Sequence, residues 1–61
     1  MATIQLNEKG RELYPYLAGE WLVVYGFNSD CKQFLIWDEI MCRWLYISIA
    51  FCEGRNDEAV N

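Results

Sequence analysis

The chain opens on a short alternation, ATIQL over residues 2–6. That is the two-residue period of a strand, and its length suits a short edge strand. Asn7 follows as an N-cap residue, with Glu8 in the first turn, where a negative charge complements the helix dipole. Leu6, Gly10, Leu13, Tyr14 and Leu17 then recur at helical spacing, the pattern of a helix turned towards a core. Gly10 weakens that helix. Pro15 removes a hydrogen bond from its interior and clashes with the carbonyl of Arg11. The spacing therefore predicts a helix from Asn7 to Tyr14, with room for one turn beyond the proline.

After the Ala18-Gly19 break the period changes. Glu20 to Phe27, EWLVVYGF, is rich in aromatic and β-branched residues and reads as a strand. Trp21, Val23, Tyr25 and Phe27 fall on one face; Leu22, Val24 and Gly26 fall on the other. Asn28-Ser29-Asp30 is a turn cluster, and Gln33 to Trp37 is a second strand, so the pair makes a hairpin. Asp38-Glu39 is the next break. Arg43 to Glu53, RWLYISIAFCE, would be apolar all round as a helix, which so short a chain has no means to bury. As a strand it places Leu45, Ile47, Ile49 and Phe51 on one face and Trp44, Tyr46, Ser48, Ala50 and Cys52 on the other. A helix from Asp38, capped by that aspartate, is the alternative, because periodicity does not arbitrate short apolar runs. Residues 54–61 are polar and read as a frayed tail. The predicted fold class is α+β: one short N-terminal helix on a small three-stranded antiparallel sheet, a single domain over residues 1–53.

Size turns this pattern into an expectation about function. A chain of 61 residues buries only about 60% of its unfolded surface. Three Trp, four Tyr and three Phe exceed what its interior readily holds. A meander of three strands has two apolar faces, and one helix covers one of them. The face left over is the aromatic one, Trp21, Tyr25, Phe27, Trp44 and Tyr46, and aromatic residues are enriched at interface centres. The competing reading is a sheet curled on itself, with the same rings half-buried in the core.

Charge narrows the partners. Nine acids stand against five scattered bases, for a net charge of −4. Without a basic stripe, direct binding to nucleic acid or to an anionic membrane surface is not expected. Glu20, Asp30, Asp38 and Glu39 stand at predicted strand ends as an acidic rim, suited to a basic protein surface. The apolar stretch from Phe34 to Phe51 contains Asp38, Glu39 and Arg43, so a membrane span is not expected. MATIQLNEKG carries neither a basic nor an apolar signal region. Three cysteines are an odd number for a disulfide scaffold, so a cytoplasmic protein with free thiols is expected.

Candidate chemistry is sparse. The chain has no histidine, the commonest general base and the usual partner of a nucleophilic Ser or Cys. Cys31 beside Lys32 is the best thiol candidate, and Asp30 opposes it. Cys31, Cys42 and Cys52 lack the local CxxC clamp of a zinc site. Asp38-Glu39 point to opposite faces in a strand, and the glycines form no phosphate loop. No enzyme, metal or cofactor is expected. The expected function is a non-catalytic module that docks on a larger protein or complex. By analogy of type, it suits a stoichiometric inhibitor or adaptor such as phages and mobile elements direct at host defence complexes, the anti-CRISPR type included. A homodimer using the same aromatic face is the alternative, and a nucleic-acid mimic the third reading.

Overall fold

The computed structural model describes residues 2–57, with side chains described through Gly54. Five strands, one α-helix and two 3-10 turns follow one another. They are β1 (Ala2–Leu6), α1 (Glu8–Leu13), a 3-10 turn (Pro15–Leu17), β2 (Leu22–Asn28), β3 (Gln33–Asp38), β4 (Arg43–Ser48), a second 3-10 turn (Ile49–Phe51) and β5 (Cys52–Asp57). The strands form one sheet in the order β4-β3-β2-β1-β5, and every pairing is antiparallel.

The class is α+β as the pattern implies, but the sheet has five strands rather than three. Two sequence readings are corrected by this topology. β1 is not an edge strand; it lies between β2 and β5. The segment 54–57 is not a frayed tail but part of β5, with Ala2 opposite Asp57 and Thr3 opposite Asn56. Pairing uses backbone groups, and a polar sequence is no obstacle at a sheet edge, where charged residues also discourage further pairing. The rest of the predicted tail, 58–61, lies outside the described residues. The stretch from Phe34 to Phe51 holds β3, β4 and a 3-10 turn, so the alternative of a helix from Asp38 does not hold. Among the described residues no helix is long and apolar enough to cross a membrane.

β2 is shared between the two parts of the sheet. Leu22 and Val23 pair with β1, and Val24 to Asn28 pair with β3. The register shifts between Val24 and Gly26, a bulge that bends the strand. Ile4, Leu6, Leu17, Leu22, Ile36 and Ile47 form the buried core, so strands on both sides of β2 turn their apolar side chains to one interior.

The helix starts where the sequence places it. Asn7 caps it by accepting from the Gly10 N–H at 3.0 Å. Asn7 also donates from Nδ2 to the Ala50 carbonyl at 2.8 Å and from its backbone to the Phe51 carbonyl at 2.9 Å. Gly10 is buried, and a Cβ there would stand 2.5 Å from the Phe51 carbonyl oxygen. Its missing side chain lets α1 lie directly against the second 3-10 turn. Only part of the expected helical stripe is core, because Leu13 in the last turn is exposed. Pro15 opens the first 3-10 turn rather than ending the local order.

The two hairpin turns are built alike. Asn28 Oδ1 accepts from the N–H groups of Asp30 and Cys31 at 3.0 and 3.2 Å. Asp38 Oδ1 accepts from those of Ile40 and Met41 at 3.0 and 3.1 Å. Each turn then ends in a left-handed residue, Lys32 at φ 53° and Cys42 at φ 52°. A side-chain oxygen thus closes the first half of the turn, and a left-handed residue returns the chain to the next strand.

Candidate functional site

Cross-strand register divides β3 and β4 into two faces. Phe34 pairs with Ile47 and Ile36 with Leu45, and this face holds the core. Leu35 pairs with Tyr46 and Trp37 with Trp44 on the other. Tyr25 of β2 joins this outer face, its ring 5.4 Å from that of Trp44 and edge-on to it. The Trp37 ring lies 5.0 Å from Trp44, also near edge-on, the geometry that ring quadrupoles favour. Tyr25, Trp44 and Tyr46 are 58%, 55% and 54% exposed. Helix α1 packs chiefly against β1 and the two 3-10 turns, so it does not cover them. Ile40 and Met41 are exposed in the β3–β4 turn, and Ile40 stands with Tyr25 and Trp37 at one end of this face.

Not every predicted residue belongs here. Phe27 pairs with Phe34, and the two rings are 5.4 Å apart. The bulge has turned Phe27 to the inner side, where it lines an open cleft of about 480 Å³ with Ile4, Val24, Phe34, Ile49, Cys52 and Glu53. Trp21, which precedes β2 and is exposed, does lie towards the outer aromatic residues. It lines a notch of about 220 Å³ with Tyr25 and Trp37, over a floor of Leu17, Leu22 and Val23, and with Glu20, Glu39 and Ile40 at its sides.

The acidic rim divides the same way. Glu20 and Glu39 are exposed and border the notch. Asp30 is exposed in the β2–β3 turn, at the opposite end of β3 from Glu39. Asp38 leaves the rim, because it is 0% exposed. Besides holding the turn through Oδ1, it accepts through Oδ2 a short bond from the Tyr16 hydroxyl and one from Arg43 Nε at 3.4 Å. Arg43 Nη2 closes the triangle by donating to the Tyr16 hydroxyl oxygen at 2.9 Å. Burial pushes the Asp38 carboxyl up, but the bonds from Tyr16, Met41, Arg43 and Ile40 outweigh it and hold the group below its ordinary value. Its work is to hold the hairpin and the first 3-10 turn together.

The cysteines are free thiols in three places. Cys31 and Cys42 are exposed in the two turns, and Cys52 is half-buried. Burial pushes the Cys52 thiol up to about 11, away from the thiolate that nucleophilic chemistry requires. Among the described residues no three metal-ligating side chains come together.

Trp37 and Ile40 were not legible as members of this face. QFLIW is apolar at four positions in a row, so it shows no period, and only the register assigns its faces. The pair Ile40-Met41 did leave a signal: apolar residues in a hairpin turn, where polar ones normally stand. No protein-family model, curated protein or solved structure matches the chain.

Proposed function

We propose that the protein is a non-catalytic binding module that docks on a larger protein through the outer face of β2, β3 and β4, acting as a stoichiometric inhibitor or adaptor. One observation carries this reading: Tyr25, Trp44 and Tyr46, each more than half exposed, share with Trp37 a sheet face that the helix leaves uncovered. Exposed apolar surface gathered in one place is what docking surfaces offer, whereas scattered apolar residues need no explanation.

Charge favours a different protein over a second copy. The chain carries net charge −4, and Glu20 and Glu39 edge the aromatic surface. A two-fold contact through this face brings together two chains of the same net charge, −4, which long-range repulsion opposes. A basic surface on a larger partner meets both the rings and the carboxylates. The burial of Asp38 and the placement of Asp30 at the other end of β3 from Glu39 break up the predicted acidic rim, which weighs against a nucleic-acid mimic.

The test uses tagged protein under reducing conditions and lysate of its host, with Trp44→Ala, Tyr46→Ala and Ile49→Ala compared after each is shown to be folded by NMR. A protein captured in fixed stoichiometry by wild type and Ile49→Ala, and lost with both aromatic variants, supports the reading. Light scattering that gives a dimer which Trp44→Ala dissociates assigns the face to a homodimer instead. Unfolding of both aromatic variants assigns the rings to folding and overturns the proposal.

A further inference from the structure

Resting on the reading of the outer face as a docking surface, we propose that the notch between Trp21, Tyr25 and Trp37 receives an arginine side chain of the partner, with Glu20 and Glu39 as its counter-charges. Trp21, Tyr25, Trp37, Glu20 and Glu39 line one concavity of about 220 Å³. A cation is drawn to the negative faces of aromatic rings, and most strongly to Trp. Among the described residues the ion pairs are Arg11 with Glu53 and Arg43 with Asp38, and neither involves Glu20 or Glu39. A neutral apolar group in the notch would strip water from two carboxylates and return nothing. Arginine matches better than lysine. Its planar head stacks on the rings, and its fork of donors reaches carboxylates on two sides.

Both carboxylates stand on held backbone. Glu20 follows Gly19, whose left-handed φ of 77° turns the chain. The Gly19 carbonyl accepts from Gln5 Nε2 at 3.1 Å, and the Glu20 N–H donates to the Leu17 carbonyl at 3.2 Å. Glu39 opens the turn that Asp38 Oδ1 fastens. The buried Asp38 network thus holds the backbone from which Glu39 projects.

The experiment titrates the full isotope-labelled chain with the blocked tripeptide acetyl-Gly-Arg-Gly-amide and follows the indole N–H signals of Trp21 and Trp37 by NMR. Its lysine, trimethyl-lysine and citrulline counterparts serve as comparison probes. Expected are saturable shifts of both indoles with the arginine probe, none with the isosteric citrulline, and binding weakened about tenfold in Glu20→Gln or Glu39→Gln, the scale of a lost charge-assisted contact. Equal shifts with citrulline, no saturable shift at all, or tighter binding of either lysine probe would each overturn the assignment. If the captured partner binds a Glu20→Gln, Glu39→Gln double variant unchanged while Trp44→Ala abolishes capture, the docking face stands and the arginine notch falls.

Discussion

Tyr25 and Phe27, two residues apart in β2, lie on opposite faces of the sheet. Tyr25 packs edge-on to Trp44, and Phe27 pairs with Phe34 above the inner cleft. The register shift between Val24 and Gly26 separates them, since one extra residue reverses the alternation beyond it. The two rings are almost equally exposed, 58% and 51%, so exposure alone does not distinguish them. The proposed docking through the outer face does. Tyr25→Ala is expected to weaken the partner's Kd by about tenfold or more, as removal of a central aromatic does. Phe27→Ala is expected to leave it within about twofold, since distant sites act independently. Calorimetry on the captured partner measures both, and equal losses would place the contact on the inner cleft instead.

The same bulge marks the limit of what the sequence discloses. Trp21, Tyr25, Trp44 and Tyr46 were legible as exposed aromatic residues because Leu22, Leu45 and Ile47 fix the phase of their strands. Phe27 was not, because Val24-Tyr25-Gly26 carries no sign of an extra residue beyond a glycine, and a glycine in a strand has several meanings. Asp38 was misplaced for a related reason: an acid at a strand end is usually solvated. Its burial rests on Tyr16 and Arg43, 22 residues before it and 5 after it, and no local pattern joins those positions. β5 was missed because its place beside β1 depends on backbone pairing and leaves no apolar signature. The Asn7 cap and the short helix are local matters, and they were readable; the strand expected from Arg43 to Glu53 is extended only over Arg43–Ser48, because the 3-10 turn Ile49–Phe51 breaks it before β5 begins at Cys52.

Gly10 makes the contrast sharper. Local propensity presents it as a weak point in α1, yet a Cβ there meets the Phe51 carbonyl oxygen at 2.5 Å and Leu6 Cβ at 3.0 Å. Gly10→Ala improves helix propensity by about 1 kcal/mol. It also drives a methyl group into backbone that the Asn7 hydrogen bonds hold in place. Overpacking of this kind costs about 1–3 kcal/mol, and here the upper end applies because the nearest atom is a backbone oxygen rather than the end of a side chain. Chemical denaturation is expected to show a net loss of about 2 kcal/mol for Gly10→Ala. A more stable variant would show that α1 does not sit against the second 3-10 turn.

Lys32 and Cys42 close equivalent turns in the left-handed region, where a Cβ costs roughly 1–2 kcal/mol. Glycine removes that strain but loses more freedom on folding. The balance favours the substitution: Lys32→Gly and Cys42→Gly are each expected to raise stability by about 0.5–1 kcal/mol. Ser29→Gly, in the first turn but without a positive φ, is expected to be neutral or slightly destabilising. Urea midpoints of the three variants decide whether the turns are strained as described.

Asp38 ties these turns to acid stability, and Asn28 shows how to separate its two roles. Asn28 fastens the first turn with a neutral amide oxygen, so Asp38→Asn retains the turn and removes the charge facing Tyr16 and Arg43. The variant is expected to lose about 2 kcal/mol at neutral pH, the scale of hydrogen bonds to a buried charged group. The folded state holds the Asp38 carboxyl below its ordinary value of 3.8. A depressed carboxyl contributes stability that is fully present above 3.8 and fades as pH falls through the folded-state value. The stability difference between wild type and Asp38→Asn should therefore be constant near neutrality and close as pH falls below 3.8. Tyr16 gives the alkaline counterpart. Its bond to Asp38, and then burial, push its hydroxyl above 10.0, so its contribution is present below 10 and fades as pH rises through the folded-state value. Tyr16→Phe should remove that alkaline limb and weaken the acid one, since it deletes a bond that favours the charged carboxylate. Denaturant titrations of the three proteins across pH test the network directly: an acid-side difference that persists unchanged well below 3.8 would mean that Asp38 does not act through its charge.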